Sequence, residues 1–120
     1  AATQALAQYQ AHGVTDVKGR ALVSHEAGKT AFARNDFPEA WERLAQAHTF
    51  FDPRWASNDP RRVLLNYDRL RAAVGNAMED AVVEQLEADV RAGLRVLDNQ
   101  GSRYRSEHSE ITSWLASQPN

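Results

Sequence analysis

The chain has 120 residues, 42% of them hydrophobic and 25% charged, a composition typical of one soluble globular domain. Its formal net charge of −2 argues against nucleic-acid binding, which requires a basic surface. The absence of cysteine excludes disulfides, thiolate catalysis and cysteine-ligated zinc, and no apolar run approaches the ~20 residues of a membrane span.

The pattern of apolar positions predicts helices along the whole chain. In chain order, the predicted helices cover residues 3–12, 20–34, 37–50, 60–74, 77–97 and 103–116. No segment shows the alternating β-branched residues between turns that indicate a strand. The expected fold is therefore all-α, with five to six short helices packed as a small helical bundle in a single domain over residues 1–120.

Short turn motifs mark the ends of several predicted helices. Asn35 can end the second helix in a left-handed conformation, and Asp36 with Glu39 forms a capping box for the third. The pair Asp59–Pro60 is typical of a helix start, because Asp caps well and Pro suits the first turn. Gly75 is expected to end the fourth helix.

The segment Ser24–Pro53 carries the most specific pattern in the chain. Its two predicted helices flank the turn NDFPEAW, and its small residues lie where the two helices would touch. These small residues are Gly28, Ala31, Ala40 and Ala47. The pattern resembles one tetratricopeptide repeat, an antiparallel helix pair that stacks in arrays and binds other proteins. The resemblance covers residues 24–53 and implies a tetratricopeptide-like hairpin within the bundle.

The chain departs from the repeat pattern in two places. Ser24 and Ala31 stand where the first helix of the family has Trp and Tyr. The next helix pair, residues 60–97, matches poorly, since Asp68 occupies a position for a small residue and Gln85 a position for a large apolar one. The hairpin is therefore either one repeat beside degenerate helices or a convergent helix pair.

The resemblance also implies where a partner would bind. In the repeat family the first helix of each pair lines a concave groove, and the matching positions here are His25, Lys29 and Phe32. Family members that bind the acidic end of a peptide have Lys and Asn at the first two of these positions. His25 and Lys29 keep the basic character without the Asn, so we expect a protein or peptide partner that is possibly acidic.

A cluster of aromatic residues offers a second candidate surface. Phe50, Phe51 and Trp55 fall in and beside the predicted loop after the third helix. Packing at the edge of the core is the simpler explanation for such a cluster. The alternative, functional explanation is that the three side chains form an exposed apolar patch that binds a partner.

No catalytic motif is complete in this chain. Gly28–Lys29–Thr30 resembles the end of a P-loop, but Val23 replaces the first glycine. His25–Glu26 begins like a zinc-protease helix, but Lys29 replaces the second His. We therefore predict no catalytic residues, no metal and no cofactor, and a small non-enzymatic helical adaptor module.

Two alternatives stay open on the sequence alone. One is a helical-bundle enzyme or small-ligand carrier with a pocket between helices, lined by Trp41, Tyr67, His108 and Trp114. The other is a helical part of a larger assembly that mainly self-associates. The compartment is open too: a chain without cysteine fits the cytoplasm, which we favour, and an exported mature form. The start at Ala1 fits Met removal, trimming or a cleaved signal peptide.

Overall fold

The computed structural model describes residues 17–51 and 58–118, and it confirms the all-α prediction over these ranges. The helices are α1 (Val17–Ala33), α2 (Phe37–Phe51), α3 (Pro60–Gly75), α4 (Asp80–Asp98) and α5 (Arg105–Ser117). No strand occurs in either range. The helix expected over residues 3–12 lies outside the described residues. None of the five helices has the length and apolar character needed to cross a membrane.

The turn between α1 and α2 has the geometry expected from its sequence. Asn35 is in the left-handed region with φ 61°, which ends α1. The Asp36 carboxylate accepts a hydrogen bond from the backbone N–H of Glu39 at 3.3 Å. Asp59 caps α3 in the same way and accepts from the Arg61 N–H at 2.9 Å. Local side-chain chemistry therefore sets both helix starts.

Gly75 is the last residue of α3, so the helix ends at the predicted glycine. The left-handed residue is not this glycine but Ala77, which follows the helix and has φ 49°. A Cβ atom added at Gly75 would lie 2.7 Å from Cδ1 of the Phe37 ring. The absent side chain thus lets the end of α3 approach the start of α2.

The first hairpin packs through small residues, as predicted. α1 and α2 form the most extensive helix contact in the described residues. A Cβ atom at Gly28 would lie 2.5 Å from Cγ of Leu44, and Ala40 and Ala47 are both fully buried. The α1 backbone therefore lies directly against the Leu44 side chain of α2.

A second hairpin, α3 with α4, uses another glycine that sequence inspection overlooked. A Cβ atom at Gly93 would lie 2.7 Å from Cγ1 of Val63, so this glycine brings α4 close to α3. Apolar residues of α3, α4 and α5 form the larger of two core clusters, which includes Leu97 and Ile111. α2 packs on α3 and joins the two hairpins, while α1 touches α3 only lightly. That light contact leaves space between α1 and α3.

Candidate functional site

A groove lies between α1, α3 and α5 and encloses a cavity of about 320 Å³. We call it the α1/α3/α5 groove. α1 contributes His25 and Lys29. The remaining lining residues are Leu64, Tyr67, Asp68 and Arg71 from α3 and Glu107, Glu110 and Ile111 from α5. The structure thus brings two of the three predicted groove residues to one cavity and adds an unpredicted set of charged residues from α3 and α5.

Asp68 is the polar centre of this groove. Only 8% of the residue is exposed. One carboxylate oxygen accepts a hydrogen bond from Nε2 of His25 at 2.6 Å, and the other accepts from Nη2 of Arg71 at 2.6 Å. The position that breaks the repeat pattern is therefore occupied by a buried ion that connects α1 to α3.

The charge of Asp68 is retained despite its burial. Burial alone would raise the pKa of this carboxyl, but the hydrogen bonds and charges of His25 and Arg71 outweigh burial and hold the pKa below its usual value. Because the carboxylate is ionised, Nε2 of His25 carries the proton that it donates. The cluster His25–Asp68–Arg71 fixes the His25 ring and the Arg71 fork in one arrangement.

Arg71 also packs between two aromatic rings. Its guanidinium carbon lies 4.7 Å from the centre of the Phe32 ring and 4.5 Å from the centre of the Tyr67 ring. Cation–π contacts of this kind hold a charged side chain in place. The Phe32 ring in turn meets Phe37 edge-on, at 5.4 Å between centres. Phe32 is therefore partly covered by Arg71, and its ring supports the groove as well as bordering it.

Tyr67 forms part of the groove floor and is 4% exposed. Its ring meets Trp114 edge-on, at 5.9 Å between ring centres. Burial raises the pKa of Tyr67 to about 12; the Arg71 charge opposes this rise, and the nearby Glu110 carboxylate adds to it. The hydroxyl is thus protonated at neutral pH and can act as a hydrogen-bond donor at the floor.

The two walls of the groove carry opposite charges. On the α1 wall, Lys29 has 52% of its side chain exposed, and its ammonium lies 3.8 Å from Glu26, a weak pair one turn away. On the α5 wall, Glu107 and Glu110 make no ion pair within the described residues. Charges on both walls are therefore available to a ligand that carries both signs.

The other residues singled out in the sequence lie elsewhere. Phe50 is partly buried against the smaller core cluster, whereas Trp55 and the side chain of Phe51 lie outside the described part of the chain. Of the four suggested pocket residues, Tyr67 lines the groove and Trp114 lines a different cavity. His108 faces Asp98 at 3.3 Å, and Trp41 packs under the Arg69 guanidinium. These four side chains therefore do not line one common cavity.

We expect no stoichiometric zinc or iron in protein purified without an affinity tag. Across residues 17–51 and 58–118, no three His, Asp or Glu side chains are grouped so that they could hold a metal ion. The four histidines also lack the spacing of zinc ligands in the sequence. Elemental analysis is the measurement. One bound metal per chain would contradict the predicted non-enzymatic function and direct attention to His108 and the acidic residues of α4.

Direct comparison with models of protein families, with curated proteins and with solved structures returned no match to this chain. The resemblance of residues 24–53 to a tetratricopeptide repeat therefore stays a prediction. The chemistry of the α1/α3/α5 groove is the basis on which a function can be assigned.

Proposed function

We propose that this chain is a small non-enzymatic adaptor module that binds a protein or peptide segment in the α1/α3/α5 groove. One observation carries the proposal: the groove has a basic wall and an acidic wall above a floor whose charges pair with one another. Lys29 stands on one wall, and Glu107 with Glu110 on the other. A segment with both a carboxylate and a cationic group complements such a site.

The helix order agrees with this proposal. In the tetratricopeptide family the first helix of each pair lines the binding groove, and α1 and α3 would be the first helices of two successive pairs. α5 follows as the next helix in the same alternation, and it completes the groove. The two glutamates of α5 also refine the expected partner. A purely acidic peptide would be repelled by them, so the acidic group is assigned to the Lys29 side only.

The buried cluster has a positioning role in this proposal. Asp68 holds His25 and Arg71, and Arg71 is sandwiched by Phe32 and Tyr67. Side chains that are already ordered lose little conformational entropy when a partner binds. His25 and Arg71 thus shape a preformed floor, while Lys29 supplies the exposed charge that contacts the partner.

Reversing the charge of Lys29 should weaken binding of the partner by about tenfold or more, because a charge-assisted hydrogen bond contributes about 1.5–3 kcal/mol. Lys29 is exposed, so Lys29→Glu should change the free energy of unfolding by less than about 0.5 kcal/mol. The experiment is affinity capture with quantitative mass spectrometry, followed by calorimetric titration of the captured partner with both proteins.

Arg95→Glu is the matched control for this test. Arg95 is exposed on α4, which does not line the groove, and the substitution makes the same charge change. A partner that binds wild type and Arg95→Glu equally but Lys29→Glu more weakly supports the proposal. Equal binding by all three proteins would move the binding surface away from the groove.

A small-ligand carrier or enzyme is the second candidate function. The size of the cavity is the observation that favours it. A volume of about 320 Å³ lies at the lower end of the range for small-molecule pockets. The raised pKa of Tyr67, about 12, weighs against its use as a base or nucleophile at neutral pH. A thermal-shift screen of small zwitterionic compounds separates this candidate from the peptide-binding one.

A further inference from the structure

A second cleft lies between α2, α3 and α4. It consists of a cavity of about 590 Å³ and an adjoining one of about 450 Å³, and both are lined by His48 and Asp89. Arg62 and Asn66 line the larger cavity, and Arg69 lines the smaller one. We call it the α2/α3/α4 cleft. It uses none of the residues of the α1/α3/α5 groove.

One face of α3 supplies the floor of this cleft. Arg62, Asn66 and Arg69 are spaced i, i+4 and i+7, so their side chains follow one another along the helix. Asn66 accepts a hydrogen bond from Nη1 of Arg69 at 3.3 Å. The floor is therefore a polar stripe with a cation at each end.

Arg69 is a partly buried cation in this cleft that lacks a strong acceptor among the described residues. Its guanidinium lies 5.4 Å from the centre of the Trp41 ring, and its Nε is buried without an acceptor among the described residues. No carboxylate of the described residues lies within ion-pair distance of it, since Asp89 interacts with it only at longer range. Burying a cation without a carboxylate or another strong acceptor is unfavourable.

The same region is electropositive at His48. Burial lowers the pKa of this imidazole, the charges of Arg69 and Arg62 lower it further, and Asp89 opposes them. Burial also lowers the pKa of Arg69, with Asp89 again opposing. Both shifts have the direction expected where cations are concentrated in a partly dehydrated cleft, and a bound anion would relieve that concentration.

We infer that the α2/α3/α4 cleft binds a small ligand through an oxyanion, either a phosphate or a carboxylate group. The Arg69 fork would bind two oxygens of that group, as guanidinium does with both anions. Arg62 and Asn66 would extend the contact along α3. Asp89 would face the ligand from α4, where it accepts a hydrogen bond from Gln85 at 3.1 Å. A hydroxyl or amine on the ligand would suit that side.

The test titrates the full chain with inorganic phosphate and, in parallel, with succinate, against sodium chloride at equal ionic strength. The readout is the NMR signal of the Arg69 Nε–H group together with the backbone amides of α3 and α4. We expect one or both anions to shift the Arg69 signal in a saturable manner that chloride does not reproduce. The anion that binds with the higher affinity identifies the ligand's oxyanion as a phosphate or a carboxylate.

Two variants make the expectation specific. Arg69→Met should weaken the binding of that anion at least about tenfold, because it removes a charged donor. Asp89→Asn should strengthen it about fivefold, because it removes a negative charge a few ångström from the anion in a water-like dielectric. Glu84→Gln is the matched control: it is an exposed acid of α4 that does not line the cleft, and it should leave the affinity unchanged.

The inference is overturned if neither anion gives a saturable shift. It is also overturned if Asp89→Asn binds no better than Glu84→Gln. The Asp89 comparison keeps the test decisive even if Arg69→Met fails to fold, since Asp89 is exposed and the substitution preserves its shape.

Discussion

Substituting Gly28 with leucine should destabilise the protein by about 1 kcal/mol net. A Cβ atom at this position would lie 2.5 Å and 2.6 Å from Cγ and Cδ2 of Leu44, and 3.3 Å from the Leu44 backbone nitrogen. The two helices would have to separate, and overpacking a close contact costs about 1–3 kcal/mol. The better helix propensity of leucine offsets about 0.8 kcal/mol of that cost. Urea denaturation monitored by circular dichroism measures the result.

Glu26→Leu is the control for this prediction. Glu26 is on the same helix, and 68% of its side chain is exposed, so the change should alter the free energy of unfolding by less than about 0.5 kcal/mol. Ala40→Leu tests the same interface from α2, where the residue is fully buried, and it should be destabilising as well. Equal denaturation midpoints for Gly28→Leu and Glu26→Leu would contradict the close α1–α2 contact.

Asp68→Asn should lower the free energy of unfolding by about 3 kcal/mol at neutral pH, the lower end of the range for breaking a buried pair. The substitution removes the charge that His25 and Arg71 both contact at 2.6 Å. It leaves the Arg71 guanidinium between two aromatic rings without its carboxylate. The Glu84→Gln variant provides the exposed comparison and should change stability by less than about 0.5 kcal/mol.

The same residue predicts how stability varies with acidity. The folded-state pKa of Asp68 is lower than its usual value, so this carboxylate contributes its full stabilisation above about pH 4, the region of an unperturbed aspartate pKa. The contribution is lost as the pH falls through the lower, folded-state pKa. As the pH is lowered below about 4, the free energy of unfolding should therefore fall less for Asp68→Asn than for wild type. Parallel curves for the two proteins would show that Asp68 is not the group responsible.

The sequence by itself determined the helical part of this protein. Apolar positions repeat with the period of a helix, and neighbouring residues set the end of α1 and the starts of α2 and α3. Asn35, Asp36 and Asp59 act in the predicted way because capping involves neighbours in the chain. The small residues of the first hairpin could also be identified, since the turn between α1 and α2 leaves the two helices little choice of partner.

Only the tertiary structure decided which residues of different helices meet. His25 and Asp68 are 43 positions apart, so no local spacing rule connects them. In the sequence, Asp68 is only a departure from the repeat pattern, and its role follows from the partners that the fold brings to it. The role of Gly93 could not be predicted for the same reason, because it depends on Val63 of another helix. A helical period shows which face is buried, but it does not show which helix covers that face. Both candidate sites lie between α3 and its neighbours, and their charges could be combined only after the helices had been placed.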